Sequence, residues 1–167
     1  MKKVIKLFDP AIGNEEEKGI VNTLKSHLWA SGSGEGHVKE FEGAFRNYVN
    51  SHDCIAVNSG TAALNLALSL IDIKNKEVIL PSLSFVSTAH AIIVNGGKPV
   101  FVDVDPETLC IDPIYIQKSL TTKTAAIIPV HFGGMACNLK NIQSIAKKHN
   151  LAIIEDAAHA VGTTYNN

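Results

Sequence analysis

Cysteine is scarce in this chain of 167 residues: Cys54, Cys110 and Cys137 are far apart, odd in number and form no C-x-x-C pair. That spacing argues against a disulfide framework and against a zinc site. Charge of one sign is also missing. The 15 Lys and Arg nearly balance the 16 Asp and Glu, and they are scattered, so there is no basic footprint for DNA or RNA. No apolar run approaches the ~18 residues that a membrane span needs. The basic opening Met1-Lys2-Lys3 is followed by an apolar stretch that Asp9-Pro10 cuts short, which does not make a signal peptide. The cytoplasm is the default location.

What is present is apolar substance. The chain is 46% hydrophobic with 19% charged residues, a balance that excludes a disordered polymer. A globular chain of this length buries roughly 68–70% of its unfolded surface, enough for one core.

Residues 1–52 read as a helical segment. Asn14 with Glu17 three positions on suggests an N-cap and capping box, followed by a helix through Ile20, Val21, Leu24 and Leu28. Ser31 to Gly36 has the composition of a loop. Val38, Phe41, Phe45 and Tyr48 then recur at helical spacing.

From residue 53 to 167 one rhythm takes over. Short β-rich runs at Cys54–Val57, Glu77–Leu80, Val100–Val104, Ala125–Val130 and Leu151–Glu155 alternate with helical patterns. The helical patterns are Thr61–Ile71, Val86–Val94, Pro113–Leu120 and Leu139–His149. Strands that are apolar on both faces and separated by helices predict an α/β fold, a mostly parallel sheet with helices on both faces. The helix around Ala62–Leu68 is apolar nearly all round and is expected to lie deep. The pattern stops at Tyr165-Asn166-Asn167, just after the fifth run, so the fold is expected to be incomplete at its C-terminus.

In open parallel sheets ligands bind at the carboxyl ends of the strands. Four tips therefore matter: Asn58-Ser59-Gly60-Thr61, Pro81 to Phe85, His131 to Gly134, and Asp156 to His159. Ser59-Gly60-Thr61 enters a helix directly, and a helix N-terminus offers free N–H groups to a phosphate. A plain helix cap by Ser59 or Thr61 remains open at this point. Neither a Walker loop nor a glycine fingerprint after a strand occurs, which counts against a Rossmann dehydrogenase. Phe85 could stack on a flat ring or simply fill the core. Asp156 could hold a cationic ring nitrogen or cap a helix, and His159 could be structural. Together, a phosphate anchor, an aromatic plate and a ring-nitrogen acid on three tips describe a pocket for pyridoxal phosphate, with the acid keeping the ring nitrogen protonated.

At these residues the chain resembles the DegT/DnrJ/StrS family of sugar aminotransferases, fold-type-I enzymes that use pyridoxal 5'-phosphate. The likeness runs through Ser31-Gly32 with Gly36 and Phe41-Glu42, Asn58 to Leu64, Pro81 to Phe85, Lys98 to Val104, Ile128 to His131 and Glu155 to Ala160. It implies the large domain of such enzymes, with Gly60, Thr61 and Ala62 on the phosphate and Phe85 on the pyridine ring. It further implies Asp156 on the ring nitrogen and His159 near the phenolic oxygen. Ser31 and Gly32 match a loop near the substrate and the subunit interface. The implied reaction moves an amino group, usually from L-glutamate, to a nucleotide-linked keto-sugar, in a homodimer.

In the family the Schiff-base lysine lies well downstream of the E-D-A-A motif, so it is expected beyond Asn167 and no catalytic residue is assigned within the chain. A chain of these 167 residues alone is therefore expected not to transaminate, and to associate through its open edges. Two other possibilities remain: a non-catalytic module that binds the cofactor or a partner, and a family dehydrase with His in place of the lysine.

Overall fold

A computed structural model describes residues 9–29 and 35–166. The chain divides into two compact units, 1–56 and 57–167. Among the described residues no helix is long and apolar enough to cross a membrane.

Among the described residues the first unit holds two helices, α1 (Asn14–Ser26) and α2 (His37–Tyr48). The cap of α1 falls one residue earlier than expected. Gly13, not Asn14, is the N-cap, and the Glu16 carboxylate reaches back to accept from the Gly13 N–H at 2.7 Å. The backbone N–H groups of Glu16 itself and of Gly13 hold the Glu16 carboxyl below its usual range. Leu28 lies past the end of α1. Gly36 caps α2 at φ 74°, and a Cβ there would sit 3.2 Å from the Leu28 side chain, so glycine avoids both backbone strain and a tight contact. Phe41, Phe45 and Tyr48 stack along one side of α2, with centroids 5.6 and 6.5 Å apart.

The second unit is the α/β layer structure. Its elements are α3 (Gly60–Ser69), β1 (Glu77–Pro81), α4 (Val86–Val94), β2 (Lys98–Val102), α5 (Pro113–Ser119), β3 (Thr124–Ile127), α6 (Leu139–His149) and β4 (Ala152–Ile153). The strands are all parallel, in the order β2-β1-β3-β4, with Ile79 opposite Val100 on one side and Ile127 on the other. The expected strand Cys54–Val57 is a correction: those residues take part in no ladder.

Side chains alternate between two cores, as the strand period of two requires. Ile79, Ile127 and Val102 pack with Ile116 of α5 and Ile142 and Ile145 of α6. Val78, Leu80, Ala126 and Ile128 pack on the opposite face with Leu64 and Leu68 of α3 and Ala91 and Ile92 of α4. The step from β1 to β2 goes one way with α4 on one face, and the steps to β3 and β4 return with α5 and α6 on the other. Right-handed crossovers demand that arrangement. The direction reverses between β1 and β3.

Local sequence sets the helix ends. Asp112 caps α5 by accepting from the Ile114 N–H at 2.7 Å, with Pro113 at the first helical position. Asn138 caps α6, which ends on Lys147, Lys148 and His149 with Asn150 left-handed at φ 53°. Helix α3 is shallower than its composition suggested. Only Leu64 and Leu68 are buried, while Leu66 and Leu70 face outward. Two buried leucines, at about 2 kcal/mol each, anchor a ten-residue helix too short to persist alone.

Candidate active site

The reversal between β1 and β3 opens a crevice at their carboxyl ends, where ligands settle in such sheets. Beside it, β4 runs on to Asp156, whose backbone extends the ladder. The Asp156 N–H donates to Pro129 O at 2.9 Å, and the His131 N–H donates to Asp156 O at 3.1 Å. The acid is thus fixed at the tip by its own main chain.

Its side chain is held as well. The Thr88 hydroxyl of α4 donates to Asp156 Oδ2 at 3.0 Å, and the Ala158 N–H donates to Oδ1 at 3.3 Å. Thr88 is fully buried and also meets the Ser84 hydroxyl at 2.7 Å. Among the described residues no ion pair involves Asp156. Each carboxylate oxygen can accept two hydrogen bonds, so the group keeps free capacity for a cationic N–H.

Phe85 is the N-cap residue of α4, one turn before Thr88, and its ring is 73% exposed. Backbone joins the two positions, since the Thr88 N–H donates to Phe85 O at 3.1 Å. The aromatic plate and the acid therefore meet through a single turn of helix.

His159 stands on the next loop. Its Nδ1 accepts from the Gly133 N–H at 3.2 Å, and Phe132 meets its ring edge-on at 5.7 Å. Accepting at Nδ1 leaves the neutral ring's proton on Nε2. Gly133 and Gly134 have φ of 60° and 86°, and a Cβ on Gly134 would lie 3.1 Å from His159 O. The glycines let the two loops approach.

The N-terminus of α3 carries Gly60, Thr61 and Ala62. Here the simple cap and the anion site coexist. Ser59 Oγ accepts from the Ala62 N–H at 3.2 Å, while the N–H groups of Gly60 and Thr61 have no partner within the helix. A Cβ on Gly60 would meet nothing within 4 Å, so there is open space beside this first turn of α3. No hydrogen bond joins residues 59–62 to Phe85, Asp156 or His159. Ser31 and Gly32 lie outside the described residues.

Thr88 escaped the motif reading, while Ser84, His131 and Glu155 lay within the strand-tip motifs but carried no role of their own. His131 is buried, accepts at Nδ1 from the Cys137 N–H at 3.1 Å and pairs through Nε2 with Glu155 at 2.8 Å. The Nδ1 bond puts the neutral ring's proton on Nε2, facing the carboxylate. Burial, with the Cys110 thiol alongside, pushes the Cys137 thiol up to about 12. A signal did exist for Thr88: a threonine inside the otherwise apolar helix Val86–Val94 needs a partner once buried.

Residues 10–167 match the DegT/DnrJ/EryC1/StrS aminotransferase family. The chain belongs to that family. It is 45% identical over 157 residues to spore coat polysaccharide biosynthesis protein SpsC of Bacillus subtilis, covering 93% of this chain and 40% of that protein. GDP-perosamine synthase of Caulobacter vibrioides is 39% identical, over 96% of this chain and 43% of its own length. Among solved structures, NtdA of Bacillus subtilis with bound cofactor PMP superimposes with a TM-score of 0.81 at 36% identity, over 92% of this chain and 36% of that one. The chain thus spans about two-fifths of the length of these relatives.

Proposed function

We propose that residues 53–167 form the cofactor-holding part of a pyridoxal 5'-phosphate-dependent aminotransferase. Its substrates are a nucleotide-linked keto-sugar and an amino-acid donor such as L-glutamate, and its setting is cytoplasmic polysaccharide or deoxyamino-sugar synthesis by a homodimer. The observation that carries the proposal is Asp156: a carboxylate at a strand tip, oriented by Thr88 and Ala158, with no ion-pair partner among the described residues. The printed names of the relatives, a spore coat polysaccharide protein and a GDP-perosamine synthase, support the substrate class.

Each residue has a task in this scheme. Asp156 accepts from the ring nitrogen's proton and keeps it in place. Phe85 offers an open ring face to cover the pyridine. The free N–H groups of Gly60 and Thr61, with the Thr61 hydroxyl, bind the phosphate at the positive end of α3. Ala62 joins them when its N–H exchanges Ser59 Oγ for a phosphate oxygen. His159, with its proton on Nε2, donates toward the phenolic oxygen. Ser31 and Gly32 belong to the substrate and interface loop. When bound, the cofactor supplies an electron sink for the carbon that loses its proton.

The amine that carries the proton must come from elsewhere. Lys74, Lys76 and Lys123 precede strands, Lys98 is the first residue of β2, and Lys118, Lys140, Lys147 and Lys148 sit on α5 and α6, so the lysine is proposed to lie beyond Asn167.

The test begins with the intact mass of the protein from its source cells, followed by cofactor absorbance and amino transfer from L-glutamate to nucleotide-linked keto-sugars. A mass well above 17.9 kDa with glutamate-dependent amination supports the proposal. Bound cofactor with loss of water from the sugar, and no amination, would assign a dehydrase. A mass near 17.9 kDa without turnover would leave a binding module.

A further inference from the structure

The hydroxyl of Thr88 sits in the wrong place for an ordinary helical threonine. Inside helices such hydroxyls commonly bond a carbonyl three or four residues back. Thr88 instead bonds two side chains, Ser84 Oγ at 2.7 Å and Asp156 Oδ2 at 3.0 Å, the latter 68 positions away in sequence. Its side chain is completely buried.

The direction of these bonds follows from proton counting. An ionised carboxylate only accepts, so the single Thr88 proton goes to Asp156. Thr88 Oγ1 is then the acceptor for Ser84, whose other acceptor, Phe85 O, is more distant at 3.3 Å. The result is a polarised relay, Ser84 to Thr88 to Asp156, anchored on a β-branched residue with few rotamers in a helix. One end of the relay lies in the loop that delivers Phe85, the other at the tip of β4. The remaining side-chain tie on Asp156, from the Ala158 N–H, is longer at 3.3 Å.

We propose that Thr88 is the positioning residue of this site. Its hydroxyl fixes the Asp156 carboxylate and the Phe85 loop relative to each other, so that acid and aromatic plate are set before a ring arrives. This rests on the reading of Asp156 as the partner of a cofactor's ring nitrogen.

The experiment uses the protein as its source cell makes it, freed of cofactor and titrated with pyridoxal 5'-phosphate. Affinity and the pH dependence of the bound-cofactor absorbance are read for wild type, Thr88→Val, Thr88→Ser and Ser84→Ala. Valine keeps the shape and loses the hydroxyl. The expected result is a roughly tenfold or greater loss of affinity in Thr88→Val, the scale of one hydrogen bond to a charged group. The absorbance midpoint should shift as well, Thr88→Ser should restore both, and Ser84→Ala should give a smaller change of the same kind. Wild-type affinity and an unmoved pH profile in a folded Thr88→Val would overturn the positioning role while leaving the cofactor reading intact. If Thr88→Val does not fold, wild-type behaviour of Ser84→Ala with failure of Thr88→Ser to bind overturns it. Absence of binding by the wild type overturns both.

Discussion

At the amino ends of its strands the sheet pairs its charges with one another. Lys98 reaches Glu77 at 3.4 Å, Thr121 donates to the same carboxylate at 2.6 Å, and Lys76 closes on Asp72 at 2.8 Å. At the carboxyl ends the partners of Asp156 are neutral, a hydroxyl and a backbone N–H. The same few residue types thus give opposite results. One end is electrically finished, and the other holds an oriented negative charge that a cationic ligand would complete. Neutral donors fix a carboxylate's direction without cancelling its charge, as the proposed role of Asp156 requires.

The contrast can be broken most severely at Asp156. Asp156→Asn keeps the shape and removes the charge, and cofactor affinity is expected to fall by ~10-fold or more, the worth of a charge-assisted hydrogen bond of about 1.5–3 kcal/mol. Equilibrium titration of the cofactor-free protein checks it. Next comes His131→Ala, which strands the Cys137 N–H and leaves Glu155 without its partner. Stability should drop by about 1–3 kcal/mol, read as a lowered denaturant midpoint with unchanged slope.

A third effect appears only in alkali. Because the folded state raises the Cys137 thiol from its ordinary 9.0 to about 12, the unfolded chain ionises first. The thiol's contribution is intact below pH 9.0 and is lost progressively as pH rises from there toward 12. A melting series across that window should steepen downward, and Cys137→Ala should flatten it. The smallest effect belongs to the amino end. The Thr121 hydroxyl, helped by Lys98, holds Glu77 below the ordinary carboxylate range. Its contribution is present above that range and fades as pH falls through the lowered value. Glu77→Gln should shallow the acid side of the melting profile and leave cofactor affinity untouched. A change in affinity there would contradict the division between the two ends.

Much of this was legible in the residues. Helices Val86–Val94 and Leu139–His149 begin and end where their periodicity predicts, the second with Asn138 capping it as well. The alternation of short apolar runs with helices announced the parallel sheet. Cys54–Val57 misled because a strand is a pairing, not a composition: Ile55 and Val57 favour extended backbone, yet no ladder receives them. Three consecutive glutamates, Glu15 to Glu17, left the register of the α1 cap ambiguous, and geometry chose Glu16. At the candidate site the tips of the strands could be read from turn residues. Thr88 could not be paired with Asp156, since nothing local connects positions 68 residues apart.

The order of strands also has a consequence for synthesis. β1 is made first among the four and ends up between β2 and β3, so it leaves the ribosome with both hydrogen-bonding edges unsatisfied. Its second partner begins at Thr124, which at about 5–20 residues per second arrives seconds later. During that interval Val78, Ile79 and Leu80, each fully buried in the finished sheet, are an apolar stretch with unpaired backbone, open to pairing with other chains.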